Sequence, residues 1–152
     1  MQRRRKATFG TGYLSPTNRL LRAFTGLTQL SPRTRTEFGD AVDYLYFTIY
    51  EGAGEDSLRF MSQHGGVFDG KDEAVRAVFR LKTLRNKMLR HDPDHGDAGK
   101  IRKSWQALEE ALRGMGMSHL PTSSEDFRFL YRALLDGLAA FLGELLVRLQ
   151  RS

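Results

Sequence analysis

The chain has no cysteine. Disulfide staples, cysteine-ligated zinc and thiol nucleophiles are therefore all excluded. A second absence is local. No residue among 1–35 is acidic, while Arg3, Arg4, Arg5, Lys6, Arg19, Arg22, Arg33 and Arg35 all fall there. Those eight cations exceed the chain's net charge of +6, so the remaining residues carry −2. The basicity belongs to the N-terminal segment and not to the body of the protein. Such an arm suits phosphate backbones, which it binds by releasing counterions; a solubilising tail carries the same signature. A third absence is a long apolar run. The most apolar stretch, Ala133 to Val147, contains Asp136 and Glu144 and is too short to cross a bilayer. The Arg-rich start has no signal-peptide core. A cytoplasmic protein with no membrane contact is expected.

What is present argues for a folded chain. Apolar residues make up 40% and aromatics 11% of 152 residues, enough for one real core. A basic arm over residues 1–16 and a helical domain over 17–152 are expected. A short helix over residues 17–25 would carry Leu20, Leu21 and Phe24 on one side. Ser31-Pro32 then signals a helix start, and Phe38, Val42, Leu45, Tyr46 and Ile49 recur at helical spacing to Tyr50. The Gly-rich stretch 52–70 reads as a loop, long enough to suggest a functional or interface role. A helix from Asp72 to about Arg90 follows, with Ala74, Val78, Leu81, Arg85 and Met88 in 4-3-4-3 order and Val75, Phe79 and Leu89 widening the face. Ile101, Trp105, Leu108 and Leu112 mark a helix over 100–113. Phe127, Leu130, Tyr131, Leu134, Leu138, Phe141, Leu145 and Leu149 mark one over 124–150, capped by Ser123 or Ser124. No strand pattern occurs. The expected class is all-α: an antiparallel bundle of four main helices, with the short N-terminal helix ahead of them.

The segment 84–97 concentrates the chemistry. Arg85 falls on a stripe that ought to be apolar, with no acid in its own turn. Asn86 follows it directly. Asp92-Pro93 must end the helix near Arg90 or His91, because the residue before proline is biased away from helical geometry. An Arg, an Asn and a His in this order suit metal-free RNA cleavage. RNA carries its own nucleophile, the 2′-hydroxyl. A histidine near neutral pKa removes that proton or protonates the departing 5′-oxygen. A permanently charged arginine holds the phosphate and stabilises charge on its equatorial oxygens. Asn86 positions the phosphate or orients His91. The products would be a 2′,3′-cyclic phosphate and a 5′-hydroxyl, with no metal or other cofactor required.

Arg85-Asn86, five intervening residues in all after the arginine, and then His91, at the end of a core helix, resemble the HEPN superfamily of small helical-bundle proteins. The resemblance is specific over about residues 72–115 and architectural elsewhere. It implies a metal-independent endoribonuclease in which two protomers pair so that both motifs face one cleft. It also implies a toxin or antiviral-defence effector, with an activator or antitoxin protein as partner. One subgroup, modified by a partner nucleotidyltransferase, carries a Tyr two residues after the His. Pro93 stands there in this chain, so neutralisation by that route is not expected.

Geometry constrains the reading. On one intact α-helix, Arg85 and His91 would lie roughly 9 Å apart along the axis and about 120° apart around it. Either the helix ends first, or a two-fold axis completes the site, or both. Arg3, Arg4, Arg5, Lys6, Lys87, Arg90 and His95 are the expected RNA-backbone contacts. A purely structural account stands beside this one: His91 capping a helix end, and Arg85 paired with Asp43 or Glu110. A non-catalytic nucleic-acid-binding or assembly module using the basic arm is the corresponding alternative function. The remaining candidates are weaker. His91 and His95 with Asp92, Asp94 and Asp97 straddle Pro93 and lack a calcium loop's closing Glu, so no metal site is expected. His64 sits in the Gly-rich loop, His119 reads as a linker residue and Trp105 as core. No phosphate-binding loop, dinucleotide fingerprint or serine-nucleophile motif occurs.

Overall fold

The computed structural model describes Leu27 and residues 30–51, 73–90 and 92–151. The basic arm, the expected helix over 17–25, the Gly-rich loop with His64, and His91 lie outside the described residues. Among those described, every regular element is helical, and the fold class is all-α. No helix among them is long and apolar enough to cross a membrane.

The first helix, α1, runs Arg35–Tyr46. Its cap is Thr34 rather than the expected Ser31-Pro32: the Thr34 hydroxyl accepts from the Glu37 N–H at 3.2 Å, satisfying one orphan donor of the first turn. Pro32 is buried instead as a core residue. α1 continues without a break into a π-turn, Phe47–Glu51. The second helix, α2, runs Glu73–Thr83 and likewise widens into a π-turn, Leu84–Arg90. The third, α3, runs Ala98–Gly114. Asp97 caps its start by accepting from the Lys100 N–H at 2.9 Å. Its end is a Schellman motif: Gly116 N–H donates to Arg113 O at 3.0 Å, and Met117 N–H to Leu112 O at 2.9 Å. Gly116 has φ +87°, a left-handed conformation that glycine enters without a Cβ penalty. The last helix, α4, runs Ser124–Arg151. Ser123 is its cap. The Ser123 hydroxyl accepts from the Asp126 N–H at 3.1 Å, and Asp126 Oδ2 accepts from the Ser123 N–H at 3.1 Å, a reciprocal capping box.

α2 is the central element, packing on α1, α3 and α4. Its approach to α4 is close: a Cβ added at Gly137 would stand 3.1 Å from the Ala77 Cβ. The core joins Phe38, Val42 and Leu45 of α1, Val78 and Leu81 of α2, Leu84 of the π-turn after it, Leu108 and Leu112 of α3, and Leu130, Leu134, Leu138 and Phe141 of α4. Phe38 and Phe127 meet with ring centroids 5.7 Å apart and planes tilted by 41°. Two expectations for α2 are corrected. Phe79 is exposed, because it lies two residues, or about 200° around the helix, from fully buried Leu81. The buried line also passes through Leu84 to Met88, which puts Arg85 on its flank rather than at its centre.

Candidate functional site

The π-turn at the end of α2 carries Arg85, Asn86, Lys87 and Arg90. A π-turn bonds each N–H to the carbonyl five residues back and is rare, occurring mostly as single turns at functional sites. It matters here because residues five apart on an α-helix point about 140° away from each other. The wider turn swings Arg90 back towards Arg85, and both reach one carboxylate. Arg85 Nε donates to Asp43 Oδ1 at 3.0 Å. Arg90 Nη2 lies 3.1 Å from each Asp43 oxygen. The Arg35 guanidinium, from the start of α1, donates to the Met88 carbonyl and satisfies an acceptor within the same turn.

The Arg85 side chain is 19% exposed. Its guanidinium carbon sits 4.1 Å above the centroid of the Tyr46 ring, three residues along α1 from Asp43. Asp43 and Tyr46 share one face of α1 and fix the arginine from two directions. Only Nε is used by Asp43; the two terminal nitrogens of Arg85 have no hydrogen-bond partner among the described residues. Beside Asp43 an open cleft of about 270 Å³ runs between α1 and the π-turn, lined by Arg35, Asp40, Leu89 and Arg90 among others. The cleft lining sets Arg35 and Arg90 against Asp40 and Asp43, and Arg85, bonded to Asp43, adds a further positive charge beside it.

The other expected contacts are distributed more widely. Lys87 Nζ donates to Ser104 Oγ at 3.3 Å, tying the π-turn to α3. His95 is exposed, and its N–H donates to the Asp92 carbonyl at 3.1 Å. Asn86 is partly buried beside Arg85. The aspartates of the loop after the motif have local tasks. Asp92 Oδ1 accepts from the Asp94 N–H at 2.9 Å, Asp94 Oδ1 accepts from the Trp105 indole N–H at 2.7 Å, and Asp97 caps α3. The loop leaving His91 is thereby pinned to α3. His91 and the arm residues Arg3, Arg4, Arg5 and Lys6 lie outside the described residues.

Scans against protein-family models, curated proteins and solved structures each return no match.

Of the two acids the sequence offered as partners for Arg85, Asp43 is the one used; Glu110 accepts from Gln106 at 3.2 Å instead. Tyr46 and Arg35 are the residues that sequence reasoning missed. Tyr46 was read as core or dimer interface, and spacing along α1 does not show what crosses above its ring. Nothing in the spacing marks Arg35 as the group that supports the π-turn carbonyl.

Proposed function

We propose that this chain is a metal-independent endoribonuclease of the HEPN type, built on an antiparallel helical bundle, and that it acts on cytoplasmic RNA as a homodimer. The observation that carries the reading is Arg85. It is held by Asp43 and Tyr46 at the widened end of a core helix, with two terminal nitrogens unpartnered among the described residues. A guanidinium fixed in this way is organised for bidentate contact with a phosphate before substrate arrives. His91, the next residue in the sequence after Arg90, serves as general acid or base towards the 5′-oxygen or the 2′-hydroxyl. A two-fold pair of chains would supply one histidine for each task. Asn86 orients the phosphate or the imidazole. Lys87, Arg90 and His95 follow the RNA backbone on either side, and Arg3–Lys6 recruit it. A toxin or antiviral-defence effector, switched on by an activator or kept in check by an antitoxin protein, fits such an activity.

The test is incubation of the purified chain with end-labelled RNA in excess chelator. Wild type should yield 2′,3′-cyclic phosphate and 5′-hydroxyl ends. His91→Ala should lower the rate by about 10²–10⁴-fold, the usual contribution of a positioned acid or base. Arg85→Ala should lower it by about 10²–10³-fold, as loss of an oxyanion donor does. One observation favours a second reading. Asp43 engages both Arg85 and Arg90, as a structural ion pair would. On that reading the bundle is a non-catalytic RNA-binding or assembly module. Binding without cleavage, lost on removal of residues 1–6, would select it over the nuclease.

A further inference from the structure

A second cavity, of about 290 Å³, opens between α3 and the segment that follows it. Trp105, Met117 and Leu120 form its apolar wall, and Arg113, His119 and Glu109 its polar rim. The sequence placed Trp105 in the core and His119 in a linker. In the fold Trp105 is only partly buried, at the edge of the core, and its ring lines this cavity. Two contacts join the cavity to the π-turn site. Lys87, two residues after Arg85, bonds to Ser104 beside Trp105, and the Trp105 indole holds Asp94 of the loop that leaves His91.

We infer that this cavity is a base-binding subsite for single-stranded RNA, in which an unstacked nucleobase lies against Trp105. The inference rests on the ribonuclease reading for the identity of its strand. Three features select this occupant. An aromatic plane at the mouth of a small cavity accepts the face of any base. Arg113 places a cation on the rim, and Arg102 is exposed one turn before Trp105 on the same helix, so a phosphate next to a stacked base would find a cation within reach. His119 adds a ring nitrogen at the rim, 3.2 Å from Asp126. Glu109 is the acid among the described lining residues; it disfavours a phosphate directly above it and suits a base amino group there. Double-stranded RNA cannot use the subsite, because its bases are stacked and paired.

Trp105 is the chain's single tryptophan, so its emission reports on this cavity alone. The experiment titrates the full chain with a short single-stranded DNA, which lacks the 2′-hydroxyl and cannot be cut by the proposed chemistry. An abasic strand of equal length and a duplex serve as controls. Saturable quenching by the base-bearing strand alone is expected, with affinity weakened several-fold in Arg113→Ala. Anisotropy of a labelled strand should show Trp105→Leu binding about tenfold or more weakly, and Trp105→Phe close to wild type. Equal quenching by the abasic strand or the duplex, or no quenching at all, overturns the subsite. Cleavage of RNA that persists without quenching leaves the nuclease standing and removes only the subsite. Quenching without cleavage of RNA does the reverse.

Discussion

At the residue scale the decisive group is Asp43. A bidentate or shared carboxylate between two guanidiniums fixes both, and here it fixes the one that sequence reasoning singled out. The pair is half exposed, so its weight in stability is small, about 1 kcal/mol or less. Its weight in activity should be larger, because misplacing a catalytic group by about 1 Å costs up to roughly 100-fold. Asp43→Asn is therefore expected to shift the melting temperature little while lowering the turnover number about 10- to 100-fold. Equal losses of turnover and of folded fraction would instead mark Asp43 as purely structural. Thr48, in the π-turn after α1, raises the opposite question. It is 1% exposed, and its hydroxyl has no hydrogen-bond partner among the described residues. A buried unpaired hydroxyl costs about 1–3 kcal/mol, and valine has nearly the same shape. Thr48→Val should raise the unfolding free energy by about 1 kcal/mol in a denaturant titration, with cleavage unchanged.

At the scale of elements, caps decide where helices begin and end. Asp126, at the third residue of α4, accepts N–H bonds from Thr122 and Ser123 at 3.0 and 3.1 Å. Those backbone donors hold its carboxyl far below the ordinary value of 3.8. A carboxyl depressed by folding stabilises the protein fully above its unfolded pKa, and the contribution drains as pH falls towards the folded one. The melting temperature of wild type should thus fall more steeply than that of Asp126→Asn below pH 3.8, and exceed it at neutral pH. Parallel curves would show that the cap adds nothing. The sequence made these ends legible: Ser123 and the acids that follow, Glu125 and Asp126, mark α4, and Gly114 and Gly116 mark the close of α3. All seven described residues of the α4 stripe, from Phe127 to Leu145, are buried. What it hid was the pair of π-turns. A reading tuned to 3.6 residues per turn cannot register bonding over five residues. It therefore drew the stripe through Arg85; Phe79, in the regular part of α2, was misplaced separately, by widening the apolar face too far round from Leu81. The same blindness affected the site. The separation of about 120° expected between Arg85 and His91 presumes an α-helix that the chain leaves at Leu84. The Asp43 pairing was legible as one of two choices; the stacking on Tyr46 was not, because spacing along α1 says nothing of what crosses above it.

For the whole molecule, the distribution of charge separates recruitment from chemistry. Residues 1–35 hold eight cations and no acid, while the rest of the chain carries −2. The folded body thus offers two clefts in which cations stand beside acids, Arg85 and Arg90 around Asp43 and Arg113 with Glu109. Non-specific affinity for RNA should come mainly from the arm, and discrimination from the clefts. Salt distinguishes the two, since each phosphate neutralised on a single strand adds about 0.7 to the slope of log affinity against log salt. Replacing Arg3, Arg4, Arg5 and Lys6 together with alanine removes four such contacts and should flatten that slope by about 3. Turnover at saturating RNA should stay near wild type, because none of the four belongs to the proposed catalytic group. Arg85→Ala should do the converse, changing the slope by about 1 or less while lowering turnover by about 10²–10³-fold. Binding isotherms over a salt series, paired with single-turnover rates, measure both effects on the same variants. A quadruple variant that keeps the full slope would move recruitment from the arm to the folded body.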